Sequence, residues 1–332
     1  MNNNIKKIAI VRLSALGDIV NSAVVLQFIH QKYPEAKIEW ITEEVFSPLL
    51  INHPLIFKVH TVNLKKIKKS KSFSEFFNTI SKLKNLGSYD VVIDMQGLLK
   101  SAIVTRLISK NTHGFDKKSS RESLSSLFYK STSKISYEEN VVKRNCFVVG
   151  DALGFKITDE MLQERKPIFS TKQKLHIYSK KIAIVIGASW ESKKYPKEKI
   201  VKICNELKEE CIIIWGNEIE KEDALWIASN SKFAKIAPKF SLKELVEFIS
   251  NVDLVIGNDT GPTHIAWAQV IPSITLFGPT NTRMIYETPI NIGIESPSKV
   301  DINKIDKNDF SISEIQTNLI IKTAKGLLNN GL

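Results

Sequence analysis

Apolar positions along this chain fall into two alternating patterns, and the alternation runs through the chain twice. Short, largely apolar runs rich in β-branched residues occur at 8–11, 38–41 and 91–94, and again at 182–186, 211–215, 253–256 and 273–277. Runs of that length and continuity predict strands buried on both faces, as in parallel sheets covered by helices. Between them lie amphipathic stretches. They predict a helix from the 14–18 turn to about Lys32, stopped by Pro34, then helices at 73–86 and after Gly97. In the second half helices are expected from Pro196, up to about Asn230, at 242–250 and at 263–269, with a last one at 314–328. The repetition is partly literal. Lys6-Lys7-Ile8-Ala9-Ile10-Val11 recurs as Lys180-Lys181-Ile182-Ala183-Ile184-Val185, and Asp90-Val91-Val92-Ile93-Asp94 is echoed by Asp253-Leu254-Val255-Ile256-Gly257. The chain therefore reads as α/β, two βα-repeating halves that each open on their own central strand.

The length of 332 residues fits two domains at roughly 100–200 residues each. A first domain is expected over 1–175 and a second over 176–312, joined by a polar connection near 170–181. The 313–332 helix, set off by a Pro/Asp/Asn-rich stretch, is expected to pack back toward the first domain. The Ser- and Lys-rich 116–136 stretch reads as a mobile surface segment with a short helix around 124–129. A hydrophobic share of 43% with 25% charged residues excludes general disorder. No apolar run approaches the roughly 18 residues of a membrane span, and Arg12 cuts short the only candidate signal peptide. Cys146, Cys204 and Cys211 are odd in number and lack CxxC spacing, so they read as reduced core thiols.

A net charge of +12 points to an anionic partner. The densest cluster, Lys65, Lys66, Lys68, Lys69 and Lys71, contains no aromatic residue for base stacking, and no zinc-finger or RNP-like spacing occurs. Nucleic acid is therefore not expected. Ligands of open α/β sheets bind outside the carboxyl ends of the strands, so the turns that follow the strands are the places to look. The 14–18 turn has only Gly17 where a dinucleotide fingerprint needs three glycines. It offers instead Asp18, which either complements a helix N-terminus or serves as a general base. The 257–264 turn brings glycines and helix-start amides, a ready site for a diphosphate. Within it Asp259 reads as an N-cap or a sugar contact, and His264 as structural or catalytic. Ser189, Lys193 and Lys194 in the 187–194 turn could face phosphates, and Glu220 a nucleoside. No D-x-D pair or other metal-ligand spacing is present, so no metal cofactor is expected.

Taken together, several motifs resemble the lipopolysaccharide heptosyltransferases, glycosyltransferase family 9. They are Ser14-Ala15-Leu16-Gly17-Asp18, Asp94-Met95-Gln96-Gly97-Leu98-Leu99-Lys100-Ser101, Lys194-Tyr195-Pro196, Trp215-Gly216, Asn258-Asp259-Thr260-Gly261-Pro262-Thr263-His264 and Phe277-Gly278-Pro279-Thr280. Arg121-Glu122 with Leu127-Phe128-Tyr129, and the basic cluster, resemble the heptosyltransferase I branch more than later-acting ones. The resemblance implies a GT-B fold, two Rossmann-like domains facing a central cleft. It implies inverting, metal-independent transfer of L-glycero-D-manno-heptose from ADP-heptose to the Kdo region of lipid A, with peripheral attachment to the cytoplasmic face of the inner membrane. Asp18 then matches the general base. Ser189, Lys193, Glu220, Phe240, Asp259, Thr260, Gly261 and His264 match donor contacts, and Lys65, Lys66, Lys68, Lys69 and Arg121 match cations for the anionic acceptor. Ala188 stands where a second Thr is usual, and Pro262 replaces an aliphatic residue. Alternatives are a heptosyltransferase II-type enzyme adding a later heptose, a two-domain sugar or nucleotide receptor without catalysis, and an epimerase or phosphorylase on the same fold.

Overall fold

A computed structural model of the chain describes residues 5–70, 72–171, 180–301 and 305–329. It divides into two compact units, Met1–Ile168 and Phe169–Leu332. The first contains strands β1 (Lys7–Val11), β2 (Lys37–Glu43), β3 (Lys58–Val62), β4 (Val91–Asp94), β5 (Thr112–Phe115) and β6 (Ser131–Ser133). All neighbours pair in parallel, in the order β3-β2-β1-β4-β5-β6. The second unit contains β7 (Lys181–Val185), β8 (Glu210–Ile214), β9 (Ala234–Ile236), β10 (Leu254–Asn258), β11 (Ser273–Phe277) and β12 (Asn291–Glu295). Their order, β12-β11-β10-β7-β8-β9, repeats that of the first unit strand for strand. Both are doubly wound sheets, and each has one point where the winding reverses, between β1 and β4 and between β7 and β10.

The literal repeat seen in the sequence supplies the central strand of each sheet. Alternate side chains of such a strand point to opposite faces, and here both faces are covered. In β1, Ala9 and Val11 join a core with Val92, Val104 and Ile108, while Ile8 and Ile10 are buried on the other side. In β7, Ile182 and Ile184 join Ile200, Ile203, Cys204 and Leu207 of the Lys197–Leu207 helix. Each fully buried isoleucine contributes about 1.5–3 kcal/mol. That explains why the segments cannot tolerate polar residues until the strand ends. All three cysteines are buried and unpaired.

Three features differ from the sequence expectation. The 16–32 helix is two, Leu16–Ala23 and Val25–Lys32. The 116–136 stretch is pinned: Arg144 donates to the carbonyls of Ser119, Ile135 and Ser136, Ser125 is buried, and a 3-10 turn spans Ser123–Phe128. The helix expected to turn back toward the first domain, Thr317–Asn329, instead closes one face of the second unit's sheet. Its Ile320, Ile321, Ala324 and Leu328 enter that core, it packs on the Lys197–Leu207 helix, and Lys180 Nζ donates to Leu328 O at 2.6 Å. An amphipathic stripe of this kind buries itself on the nearest uncovered sheet face. The connection near 170–181 lies largely outside the described residues.

Candidate active site

Functional groups gather where each sheet reverses. At the exit of β1, Val11 pairs with Ile41 on one side and Asp94 on the other. The next residue, Arg12, is only 7% exposed. Its Nη1 donates to Met95 O and its Nη2 lies 2.7 Å from Asp18 Oδ1. Asp18 is the third residue of the Leu16–Ala23 helix, and its Oδ2 accepts from the Ala15 amide at 3.1 Å. The carboxylate is thus aimed from two sides and still keeps about 30% of its side chain open to solvent. That combination suits a proton acceptor better than a buried structural acid.

The end of β4 braces this turn. Gln96 Oε1 accepts from the Leu13 amide at 2.9 Å, while Gln96 Nε2 and Lys100 Nζ both reach Ser14 Oγ, at 3.4 and 3.3 Å. Asp94 is fully buried and accepts from the Gln96 and Gly97 amides, at 2.7 and 3.2 Å, and from Tyr129 Oη at 2.7 Å. Burial raises its carboxyl above the ordinary carboxylate range, and these hydrogen bonds only partly offset that. The Tyr129 hydroxyl is pushed up in turn, by burial and by the neighbouring carboxylate. Tyr129 fits because residue 114 is glycine: a Cβ there would lie 2.5 Å from the ring.

The predicted acceptor cations lie elsewhere in the same unit. Lys65, Lys66 and Lys69 are exposed on the short Leu64–Ser70 helix. Lys66 Nζ pairs with Glu75 Oε1 at 2.7 Å. The Lys68 side chain lies outside the described residues. Arg121 is exposed beside Glu122, whose Oε2 accepts from the Leu99 amide at 2.6 Å.

In the second unit the reversal lies between β7 and β10, and the buried carboxylate follows β10, the counterpart of β4. Asp259 is 4% exposed, and its Oδ2 lies 2.5 Å from Lys193 Nζ and accepts from Thr280 Oγ1 at 3.0 Å. Its Oδ1 lies 3.0 Å from His264 Nε2. Burial alone would raise this carboxyl, but the Lys193 charge and the His264 contact overcome it and hold Asp259 far below the usual range. Three side chains from separate segments therefore converge on one buried carboxylate. Lys193 Nζ also sits 5.1 Å from the centre of the Trp190 ring. It has three donors, so holding Asp259 leaves donors for an anion.

The Gly261–Ala268 helix starts at this point. Thr260 N donates to Thr263 Oγ1 at 3.3 Å, and Pro262 has no N–H, so of the first amides it is that of Gly261 which is open to a ligand. Of the helix-start amides expected from the sequence, that of Thr260 is thus engaged within the turn. Asn258 ties the neighbouring loop down: its Nδ2 donates to Ile186 O and Gly187 O at 3.0 and 3.3 Å, and its Oδ1 accepts from Tyr195 N at 3.1 Å. Gly257 permits close strand approach, since a Cβ would lie 2.5 Å from Val185 Cβ.

Glu220, 6% exposed, accepts from the Gly216 amide at 2.6 Å and from Asn217 Nδ2 at 2.8 Å. It lies against Gly187, where any Cβ would sit 2.6 Å from Oε2. Ser189 is exposed on the same loop as Lys193. Phe240 stacks on Phe248 with ring centres 5.0 Å apart. Arg12, Gln96, Asn258 and Thr280 were not among the predicted site residues. Arg12 was legible only as the charge that ends an apolar run, and Thr280 only as the last letter of a motif. Among the described residues no cluster of three or more His, Cys, Asp or Glu is placed to hold a metal ion, and no helix is long and apolar enough to cross a membrane.

Two doubly wound units with polar centres at their reversal points define a GT-B-type glycosyltransferase fold. The E. coli heptosyltransferase WaaC with ADP shares it, with a TM-score of 0.81 at 24% identity, covering 97% of this chain and 99% of that one. A family 9 glycosyltransferase from Veillonella parvula does so with a TM-score of 0.82 at 19% identity, covering 100% and 99%. Residues 79–304 match the family described as "Glycosyltransferase family 9 (heptosyltransferase)". Along the sequence, lipopolysaccharide heptosyltransferase 1 of Campylobacter coli is 41% identical over 345 aligned positions, 98% of this chain and 99% of that protein. The E. coli K12 protein of the same name is 29% identical, covering 84% and 90%. With that extent of agreement the chain belongs to glycosyltransferase family 9, and it is a heptosyltransferase enzyme.

Proposed function

We propose that this enzyme transfers L-glycero-D-manno-heptose from ADP-heptose to a Kdo residue of Kdo-lipid A in the lipopolysaccharide inner core, with inversion and without a metal ion. Support for the substrates comes from the relatives named lipopolysaccharide heptosyltransferase 1, and from WaaC structures with ADP and with ADP-2-deoxy-2-fluoro heptose. The observation that carries the chemistry is Asp18, a part-exposed carboxylate oriented by Arg12 at a sheet reversal point.

The reaction needs an acceptor hydroxyl whose oxygen attacks the anomeric carbon opposite the departing ADP. As the new C–O bond forms, the hydroxyl proton passes to Asp18 and the electrons of the breaking bond go to the β-phosphate oxygen. A positioned base contributes typically 10²–10⁴-fold. Charge on the leaving diphosphate is met by Lys193 and the Gly261 amide, donors already fixed before reaction. Thr260 and His264 line the same turn, and Ser189 adds a hydroxyl to the Lys193 loop. Glu220 takes the ribose hydroxyls, and the Phe240 backbone meets the adenine. Lys65, Lys66, Lys68, Lys69 and Arg121 hold the acidic acceptor, whose lipid brings the enzyme to the cytoplasmic face of the inner membrane.

Asp18→Asn tests this directly. Turnover of ADP-heptose with Kdo-lipid A should fall by roughly 10²–10⁴-fold while ADP affinity by calorimetry stays within about twofold. Parent-like turnover would remove Asp18 from the mechanism. ADP-heptose incubated with the enzyme alone should remain intact until Kdo-lipid A is added. Isomerisation of the donor would indicate an epimerase, and binding without any turnover a receptor.

A further inference from the structure

The Phe73–Lys84 helix carries its largest apolar side chains on the outside. Phe73, Phe76 and Phe77, in its first two turns, are 80%, 47% and 62% exposed, whereas Leu83, two turns beyond Phe76 near the other end, is buried. Spacings of three and four residues put the three rings on one face, and Phe76 and Phe77 meet edge to face at 5.7 Å. Lys84, eleven residues beyond Phe73, returns to that same face and rims an open groove of about 490 Å³ whose walls include Ile103, Arg106 and Lys110. The helix just before it displays Lys65, Lys66 and Lys69 to solvent. Exposed aromatic rings on a helical face are costly in water, and singly exposed residues would need no explanation; three together with cations on both flanks do.

We propose that this face is a membrane-docking surface, on which Phe73, Phe76 and Phe77 enter the headgroup–acyl boundary of an anionic bilayer while the flanking lysines meet its phosphates. Charge complementarity selects the occupant. A second copy of a chain with net charge +12 would bring like charges together at this lysine-rimmed face, whereas an anionic lipid surface neutralises them. Aromatic residues on one face and lysines beside it are what an interfacial helix requires. The inference deepens the reading of a lipid-borne acceptor and rests on it for its biological sense, but vesicle binding can be measured with no substrate present.

Sedimentation with sucrose-loaded vesicles tests it. The parent should bind vesicles of mixed phosphatidylglycerol and phosphatidylcholine, and bind pure phosphatidylcholine far more weakly. Replacing all three rings (Phe73→Ser, Phe76→Ser, Phe77→Ser) should weaken binding to the anionic vesicles by roughly 100-fold. The triple Phe→Trp variant should retain it. Serine-variant binding equal to the parent, no parent binding at all, or a parent dimer that the serine variant splits would each overturn the proposal. The serine variant should also turn over a de-acylated, water-soluble Kdo acceptor at the parent rate. A parent enzyme that fails to bind anionic vesicles yet turns over the soluble acceptor refutes the docking surface alone. Vesicle binding without turnover on either acceptor supports docking and refutes the transferase reading.

Discussion

Asp259→Asn isolates one quantity, the charge of a carboxylate buried among Lys193, His264 and Thr280. The amide can keep the shape: its oxygen can face Lys193 Nζ and Thr280 Oγ1, and its nitrogen can face His264 Nε2, replacing contacts of 2.5, 3.0 and 3.0 Å. What disappears is the compensation of an ammonium that is itself only 6% exposed. Removing one member of a buried pair costs about 3–5 kcal/mol, because the other charge is left uncompensated. For a unit of this size that lowers the unfolding midpoint by roughly 10 °C. Differential scanning calorimetry of the parent, Asp259→Asn, Lys193→Met and the double variant reads the effect. The double variant removes both charges and should regain much of the loss, a coupling of at least about 1 kcal/mol. The pH dependence has a fixed sign. A carboxyl held below its ordinary value binds fewer protons folded than unfolded. Its stabilisation is therefore complete at neutral pH and erodes only as pH falls below about 4, a loss that Asp259→Asn should not show. A midpoint within 1 °C of the parent (about the error of such a scan), together with strictly additive single changes, would refute the buried-charge account.

Other outcomes follow from the same geometry. Glu220→Gln should weaken ADP binding by roughly tenfold in calorimetry if both carboxylate oxygens are needed to hold the ribose, with little change in kcat at saturating donor. Asp94, held above the ordinary range by burial, has the opposite linkage to Asp259: the folded state binds the extra proton, so its ionised form costs stability as pH rises. Asp94→Asn should accordingly raise the midpoint relative to the parent more at pH 8 than near pH 4, the ordinary carboxylate value, as measured by thermal melts in the two buffers. Gly114→Ala places a Cβ 2.5 Å from the Tyr129 ring and should cost about 1–3 kcal/mol in urea denaturation. Chelation with EDTA should leave the initial rate of heptose transfer unchanged, and a rate lost to EDTA and restored by Mg²⁺ would overturn the metal-free reading.

How much of this was legible before any coordinates depended on what each residue packs against. Strands β1, β4, β7, β8, β10 and β11 announce themselves because they lie inside the sheets and are largely apolar on both faces, and the inner strand β2 does so through Ile38, Trp40 and Ile41 although Glu39 interrupts its run. Strand β5, Thr-His-Gly-Phe, and the outer strands β3, β6, β9 and β12 carry Lys, His, Ser or Asn and give no such run. His113 belongs in β5 because its two ring nitrogens meet Ser131 Oγ and Ser133 Oγ at 2.8 and 2.7 Å on β6, a pairing no local pattern encodes. The last helix was visible as an amphipathic segment, but which sheet face it covers depends on Ile320 and Ala324 meeting residues more than a hundred positions earlier. At the site, Asp18, Asp259 and Lys193 could be found because they follow strands. Their partners Arg12 and Thr280 could not, since a buried arginine and a buried threonine hydroxyl look like any others until the chain has closed around them.

The Asn258 side chain has a mechanical consequence. Beyond Gly257 and Val185 the β7 and β10 backbones no longer pair, yet this amide supplies two donated bonds and one accepted bond across the gap. It behaves as one more rung of the ladder, made of side chain instead of main chain. The segment from Gly187 to Tyr195 is thereby tethered at both ends, with the stiffness of a sheet margin and not of a free loop. The Tyr195 amide should be among the slowest in that segment to exchange its hydrogen for deuterium, and Asn258→Ala should release it.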